Sequence, residues 1–245
     1  MSGHSHWSSI KHKKSITDAK KSKFFSKMAR EITLAAKEGG GSNPEFNSKL
    51  RLAIDRARSV NMPADNIEKA IKRGSGELGG ETLEQVIFEA YGPNNIAIII
   101  EGITDNKNRT LGEIKGILNR YNGKLVGEGA VRWMFEKKGW IGLDLTAQKE
   151  EFKNEEQMEM LAIECGALDI DSKENLLDIY TKPEELEMVK KAMEGKGAKI
   201  ESASLDWVAK EMVRLDDSTK TKCEELFNAL DELDSVQQVF SNLEN

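Results

Sequence analysis

Histidine is scarce, cysteine scarcer, and long apolar runs are missing. The 245 residues include three histidines, two cysteines and four prolines, and only 6% are aromatic. Cys165 and Cys223 stand alone, which excludes a metal or redox motif built on cysteine spacing. A reducing compartment is the simplest setting for such a chain, and the cytoplasm is the expected location. Beyond His12 there is no histidine. A Ser–His–Asp or Cys–His nucleophile would therefore need the amino terminus folded onto a distant site. The glycine clusters match neither the phosphate-binding loop nor the dinucleotide fingerprint. Carboxylates are plentiful but read as solvated helix faces. The longest apolar run, Ile96 to Ile100, falls far short of the roughly 20 residues that cross a bilayer. The amino terminus has no apolar stretch of the secretory kind; it is basic and Ser-rich, a composition it shares with transit peptides. From these absences we expect no enzyme, no cofactor, no metal, no small-molecule substrate and no membrane partner.

What the chain does have is segregated charge. The formal net charge is −6, yet residues 1–80 hold 16 Lys/Arg against 8 Asp/Glu, and the remainder holds 20 against 34. Gly3 to Arg30 (GHSHWSSIKHKKSITDAKKSKFFSKMAR) gathers eight bases and all three histidines against the single acid Asp18. Asymmetry of this kind points to a polyanion docking at one end while the acidic body faces away. Lys11, Lys13, Lys14, Lys20, Lys21, Lys23, Lys27 and Arg30 are candidates for phosphate contacts, each releasing counterions. Lysine binds phosphate as a point charge, so this set predicts affinity more than sequence choice. Trp7 beside them is a candidate for stacking on an unpaired base. His12, with His4 and His6, would add hydrogen bonds to phosphates; His4-x-His6 lacks the ligands of a metal site. Two other readings remain at this level: a solvated tail ahead of a charged helix, and a membrane-surface helix using Phe24 and Phe25. Lys49, Arg51, Arg56 and Arg58 either extend the basic patch or are ordinary helix-surface charge.

The periodicity predicts α+β architecture. Residues 1–16 read as a flexible basic arm. Phe25, Met28, Ile32 and Ala36 form one helical stripe, closed by Gly39-Gly40-Gly41. Phe46, Leu50, Ala53, Ala57 and Val60 form a second. Pro63 opens a third helix, carrying Ile67, Ala70 and Ile71 and ending at Gly74. Val86–Tyr91 and Ile96–Ile103 read as a hairpin across Gly92-Pro93-Asn94-Asn95. Thr110-x-x-Glu113 reads as a capping box for the next helix, and Leu125–Phe135 as a strand bulged at Gly127–Gly129. From Trp140 to Val208 the order is βαββαβ, the ferredoxin-like pattern, with an acidic helix over 150–165. A final helix over 219–233 and a strand over 236–240 supply what the middle unit lacks. The expected domains are the arm, a three-helix domain at 17–78, an α+β domain at 79–137 plus 217–245, and a ferredoxin-like domain inserted at 138–216. In the polar loop Thr104–Thr110, Arg109 ahead of a helix amino terminus is either part of a cap or an anion contact.

Several stretches resemble one family. GHSHWSSIKHKK (3–14), AAKEGGG (35–41), NMPADNIEKAIKRG (61–74), EAYGPNNIAIIIE (89–101), TDNKNRT (104–110) and GEGAVRWMFEKKG (127–139) are together similar to the YebC family of probable transcriptional regulators. That family includes the mitochondrial translational activator of cytochrome c oxidase. The resemblance implies a helical domain and two α+β domains around a cleft, in a cytoplasmic, non-catalytic, nucleic-acid-binding protein. Some members are described as DNA-binding regulators. Others associate with the ribosome and ease synthesis of proline-rich segments. Carried over here, the resemblance implies that the arm and first helix grip nucleic acid, while Gly92, Pro93, Asn106, Asn108 and Arg109 shape a functional surface. The chain departs from the pattern at Asn94-Asn95, where a glycine pair is usual, and at His6, where lysine is common. The resulting expectation is a monomeric DNA-binding regulator of transcription, with an rRNA-binding translation factor as the alternative. A protein adaptor working through the acidic carboxy-terminal part is the third class. Removing residues 1–16 is expected to weaken binding to nucleic acid and flatten its salt dependence. Equal affinity of the trimmed and full chains across a salt titration would contradict this.

Overall fold

In the computed structural model, residues 18–38, 41–79 and 82–244 are described, with side chains from Lys21 onward except at Glu151. They fall into two compact units, 18–136 with 209–244, and 137–208, so the second interrupts the first.

The first unit opens with three helices, α1 (Asp18–Glu38), α2 (Ser48–Ser59) and α3 (Ala64–Gly74). Their apolar stripes meet in one core of Met28, Ile32, Ala36, Leu50, Ala53, Ala57, Ile67 and Ala70, among others. Phe46 does not join that core as its spacing suggested; it precedes α2 and is 81% exposed. The reason is Asn47. Its side-chain oxygen accepts from Leu50 N–H at 3.0 Å, which starts α2 one residue later. Its amide donates to the carbonyls of Ala35 at 2.8 Å and Gly41 at 2.9 Å. Asn47 is thus both a cap and a buried link from α2 to the end of α1. Gly74 ends α3, and the contact there requires glycine. A Cβ would lie 2.3 Å from Thr33 O and 2.6 Å from Ala36 Cβ, where α1 and α3 cross.

The sheet of this unit has the order β3-β1-β2-β8, built from β1 (Glu84–Tyr91), β2 (Ala97–Thr104), β3 (Lys124–Val126) and the last strand β8 (Val236–Ser241). The pairs β1–β2, β1–β3 and β2–β8 are antiparallel. β2 is buried along its whole length. Ile98 and Ile100 pack with Ile114 and Leu118 of α4 (Lys107–Arg120) and with Cys223, Leu226 and Leu230 of α7 (Asp217–Asp231). Each such fully buried aliphatic side chain contributes about 1.5–3 kcal/mol. Leu34, Leu83 and Ile103 form a small cluster that joins α1 to the sheet. In the hairpin turn Asn94 and Asn95 take φ of +51° and +59°. Glycine is the default in that left-handed region and asparagine the residue that tolerates it best, so the asparagine pair keeps a glycine-type turn.

Two further expectations fail in this unit. The helix after β2 starts at Lys107, capped by Asn106, and Thr110 lies buried within it rather than capping it. Its hydroxyl meets that of Thr104 at 2.9 Å, an interior bond a surface cap would not make. Leu125–Phe135 is not one strand. β3 stops at Val126, and Phe135 already belongs to β4 (Phe135–Asp144). The intervening backbone donates its N–H groups to a side chain, described below, instead of to a ladder.

The second unit has β4, α5 (Glu155–Glu164), β5 (Asp169–Lys173), β6 (Leu176–Thr181), α6 (Leu186–Gly195) and β7 (Ser202–Ala209). Its sheet order β5-β6-β4-β7 with βαββαβ connectivity is ferredoxin-like. Residues 150–152 form a separate short turn, so the acidic helix starts at Glu155, capped by Asn154. Trp140 lies over Gly142, where a Cβ would approach the ring within 2.4 Å. Its indole N–H donates to the Asp178 carboxylate at 2.9 Å. Cys165 and Cys223 are both free and buried. Asn47→Ala would remove the cap and the bonds to the Ala35 and Gly41 carbonyls, so we expect a loss of about 2 kcal/mol in unfolding free energy, read by denaturant titration.

Candidate nucleic-acid interface

The cations of α1 divide by what they touch. Trp7, Lys11, His12, Lys13 and Lys14 lie outside the described residues, and Lys20 is described only as a position in the first turn of α1. Lys21 is exposed on the helix surface. Lys23 Nζ pairs with Glu232 at 3.0 Å. Lys27 departs from the expectation of a ligand-facing charge. It is only 4% exposed, and its ammonium sits 2.5 Å from the carbonyl and 3.0 Å from the carboxylate of Asp231, at the carboxy-terminal end of α7. A helix end of that polarity favours a cation, so Lys27 ties α1 to α7 instead. Elsewhere in the helical segment Arg56 pairs with Glu31 at 2.7 Å and Lys72 with Glu68 at 2.6 Å. Arg51 is half-buried on α2, whereas Lys49 and Arg58 are exposed.

Three cations line an open groove of about 830 Å³ at the end of α1, the end of α3 and the segment that leads to β1. They are Arg30, Lys37 and Arg73, with Ser26, Thr33 and Ser75 among the polar groups and Asp234 as an opposing acid. Arg30 donates to the Ile103 carbonyl at 3.2 Å, and Lys37 to the Leu83 carbonyl at 3.5 Å. These partners are neutral. They orient the side chains without cancelling the charge, whereas Lys23, Lys27, Arg56 and Lys72 face carboxylates. Of the three, sequence reading named only Arg30. Lys37 lies one helical turn or more beyond the basic cluster, and Arg73 lies on another helix. Only the crossing of α1 and α3 at Gly74 brings them to one groove.

The loop before α4 lies beside Arg30. The Asn106 side chain accepts from Arg109 N–H at 3.1 Å, and Asn106 N–H donates to Thr104 Oγ1 at 2.9 Å. Asn108 is exposed. Arg109 lies inside the first turn, not ahead of it, and its guanidinium pairs with Asp105 at 2.5 Å. The Asp105 carboxyl is held below its usual range by its own backbone N–H, then by the charges of Arg109 and Arg30. The structure therefore brings Arg30, Asp105, Asn106 and Arg109 together, with Arg109 engaged as a helix-start ion pair.

A separate feature escaped sequence reading. Glu89, central in β1, is buried. Its carboxylate accepts N–H groups from Gly129 at 2.8 Å, Val131 at 2.8 Å and Arg132 at 3.0 Å. The Arg132 guanidinium lies 3.2 Å away. Burial alone would raise this carboxyl's pKa, but the three backbone donors and Arg132 outweigh it, and the net shift is downward. An acid at an inward position of a strand is a visible signal; which loop it recruits is not.

Among the described residues no group of His, Cys, Asp and Glu is placed to hold a metal ion, and no helix is long and apolar enough to cross a membrane.

Comparison with known proteins gives matches over nearly the whole chain. Residues 5–77 match the family model for the TACO1/YebC protein N-terminal domain, and residues 83–243 match that for the TACO1/YebC second and third domain. A protein of Caldanaerobacter subterraneus subsp. tengcongensis is 48% identical over 244 residues, covering 100% of this chain and 98% of that one. One from Aquifex aeolicus is 46% identical, with 100% and 96% covered. Both bear the name "probable transcriptional regulatory protein". The crystal structure of a conserved hypothetical protein from Aquifex aeolicus matches with a TM-score of 0.88 at 45% identity, covering 98% of this chain and 97% of that chain.

Replacing Glu89 by Gln is expected to destabilise the fold by about 2–4 kcal/mol at neutral pH, since the charged acceptor of three N–H bonds is lost. Because the folded carboxyl titrates below its unfolded value, its contribution is complete above about pH 4.3 and declines as pH falls through the lower folded value. The stability gap between wild type and Glu89→Gln, measured by urea unfolding, should narrow in acid.

Proposed function

The chain belongs to the TACO1/YebC family, and from that premise we propose that it is a non-enzymatic regulator of transcription that binds DNA. The observation that carries this reading is the distribution of unneutralised cations. Arg30, Lys37 and Arg73 face one groove, Arg30 and Lys37 with backbone carbonyls as hydrogen-bond partners, and the basic arm precedes the helix that carries Arg30 and Lys37. A phosphodiester backbone in that groove would meet guanidinium and ammonium donors already oriented by backbone carbonyls. Each phosphate contact would release condensed counterions, so affinity depends steeply on salt. The acidic remainder repels the same polymer and leaves this end as the docking end. Lys21 and the arm lysines add affinity, while Asn106, Asn108 and Arg109 follow Asp105, whose carboxyl feels the Arg30 charge. The protein acts in the cytoplasm as a monomer and needs no cofactor.

A second reading, a ribosome-associated translation factor that binds rRNA and eases synthesis of proline-rich segments, is favoured by one observation. The charge at this end is mostly lysine, which suits recognition of structured RNA by shape and phosphates. A promoter regulator should show a large ratio of specific to nonspecific DNA affinity at physiological salt, whereas the translation factor should co-sediment with ribosomal particles. For the groove itself, Lys37→Glu with Arg73→Glu is expected to weaken duplex DNA binding at least tenfold and to reduce the salt slope by about two, following roughly one counterion per phosphate contact. Fluorescence anisotropy across a salt series measures both; unchanged affinity and slope would remove the groove from the interface.

A further inference from the structure

Trp133 is 64% exposed, while Trp140 is 1% exposed. Tryptophan is usually well buried on average, and a single exposed indole on a mobile loop would need no explanation. This one is held in place. Its N–H donates to the Ala130 carbonyl at 3.1 Å, so its only donor is satisfied internally. The backbone beneath it is fastened to the buried Glu89 carboxylate through Gly129, Val131 and Arg132. From the other side Lys210 clamps the same turn. Its ammonium binds the Trp133 carbonyl at 2.9 Å and its backbone N–H binds the Met134 carbonyl at 2.9 Å. The side chain of Val131, between them, is fully buried.

We propose that Trp133 is a stacking platform for an unpaired base of single-stranded nucleic acid. The inference deepens the nucleic-acid reading above and rests on it, but not on the polymer being duplex. Four observations favour a base over other occupants. The indole presents its faces, because its polar edge is already used. The turn that carries it is pre-organised by a buried charge, so little ordering remains on binding. The glycines of the same turn leave room: a Cβ at Gly127 or at Gly129 would meet open space. Finally, the ammonium of Lys210 has a neutral carbonyl as its partner, which leaves its charge for a phosphate flanking the stacked base. Aromatic faces with a nearby cation are the elements of single-strand binding. A protein hot spot would instead centre the indole in an apolar ring. The exposed or half-exposed neighbours in the turn are Gly127, Glu128, Gly129, Ala130, Arg132 and Met134, so glycines and charged groups outnumber the apolar Ala130 and Met134.

The test uses the full chain and labelled oligonucleotides of about ten nucleotides, within the usual span of single-strand sites. Single-stranded DNA, single-stranded RNA and a duplex of the same sequence are titrated with wild type, Trp133→Ala and Trp133→Phe. Loss of one stacked base corresponds to roughly a 5- to 100-fold weaker single-strand affinity for Trp133→Ala. Trp133→Phe, which keeps a π face, should recover most of it, and duplex affinity should not move. The single-stranded polymer held more tightly identifies the source as melted DNA or as RNA. Thermal unfolding of each variant establishes that the fold persists. A folded Trp133→Ala protein that holds single strands as wild type does overturns the proposal, as does an equal loss in the Ala and Phe variants. Wild type that binds the duplex and no single strand also overturns it, leaving the nucleic-acid reading in place. Wild type that binds none of the three defeats that reading as well.

Discussion

A charge withdrawn from water must be met by another charge or by oriented dipoles, and this requirement organises the first unit of the molecule. Lys27 is the clearest case. Its ammonium is enclosed against the carbonyl and carboxylate at the end of α7, so a residue from the most basic stretch of the chain becomes a structural tie. Glu89 answers the same requirement with three backbone N–H groups and a guanidinium. An isolated buried carboxylate would be untenable; a fully satisfied one locks a loop. By contrast, Lys37 rests on a neutral carbonyl and keeps its charge for something outside the fold, and Arg30 donates to a carbonyl while sharing its field with Asp105.

That distinction changes how the basic end is understood. Composition counts every lysine and arginine alike, but only those without a carboxylate partner add to the field a polyanion would experience. Lys23, Arg56 and Lys72 are offset within the fold. The groove at the crossing of α1 and α3 draws its charge from two helices, and the crossing is close because Gly74 has no Cβ to strike Thr33 O. A backbone contact thus determines where charge accumulates. The loop before α4 belongs to the same region through Arg30, although Arg109 is occupied by Asp105.

The order of elements was legible in the residues. The stripe Met28–Ile32–Ala36, the hairpin of β1 and β2, the βαββαβ run of the second unit and the returning helix and strand all correspond to observed elements. The misreadings share a cause. Phe46 fits a helical stripe by spacing, yet Asn47 captures the cap and leaves it outside. Thr110 fits a capping box, yet Asn106 caps first and Thr110 turns inward to Thr104. Leu125–Phe135 has strand composition, yet Glu89 takes its N–H groups. In each case a side chain hydrogen-bonded to backbone overrode a local sequence pattern.

The sequence by itself determined the class of architecture, the family and the segregation of cations toward one end, because hydrophobic period and charge count are local properties of the chain. Only the tertiary structure decided which cations remain available, which acid is buried and what it holds, and which tryptophan faces outward. Those depend on partners more than 40 residues apart, as with Lys27 and Asp231 or Glu89 and Arg132. No local pattern encodes that pairing, because its free energy exists only once the chain has closed around it.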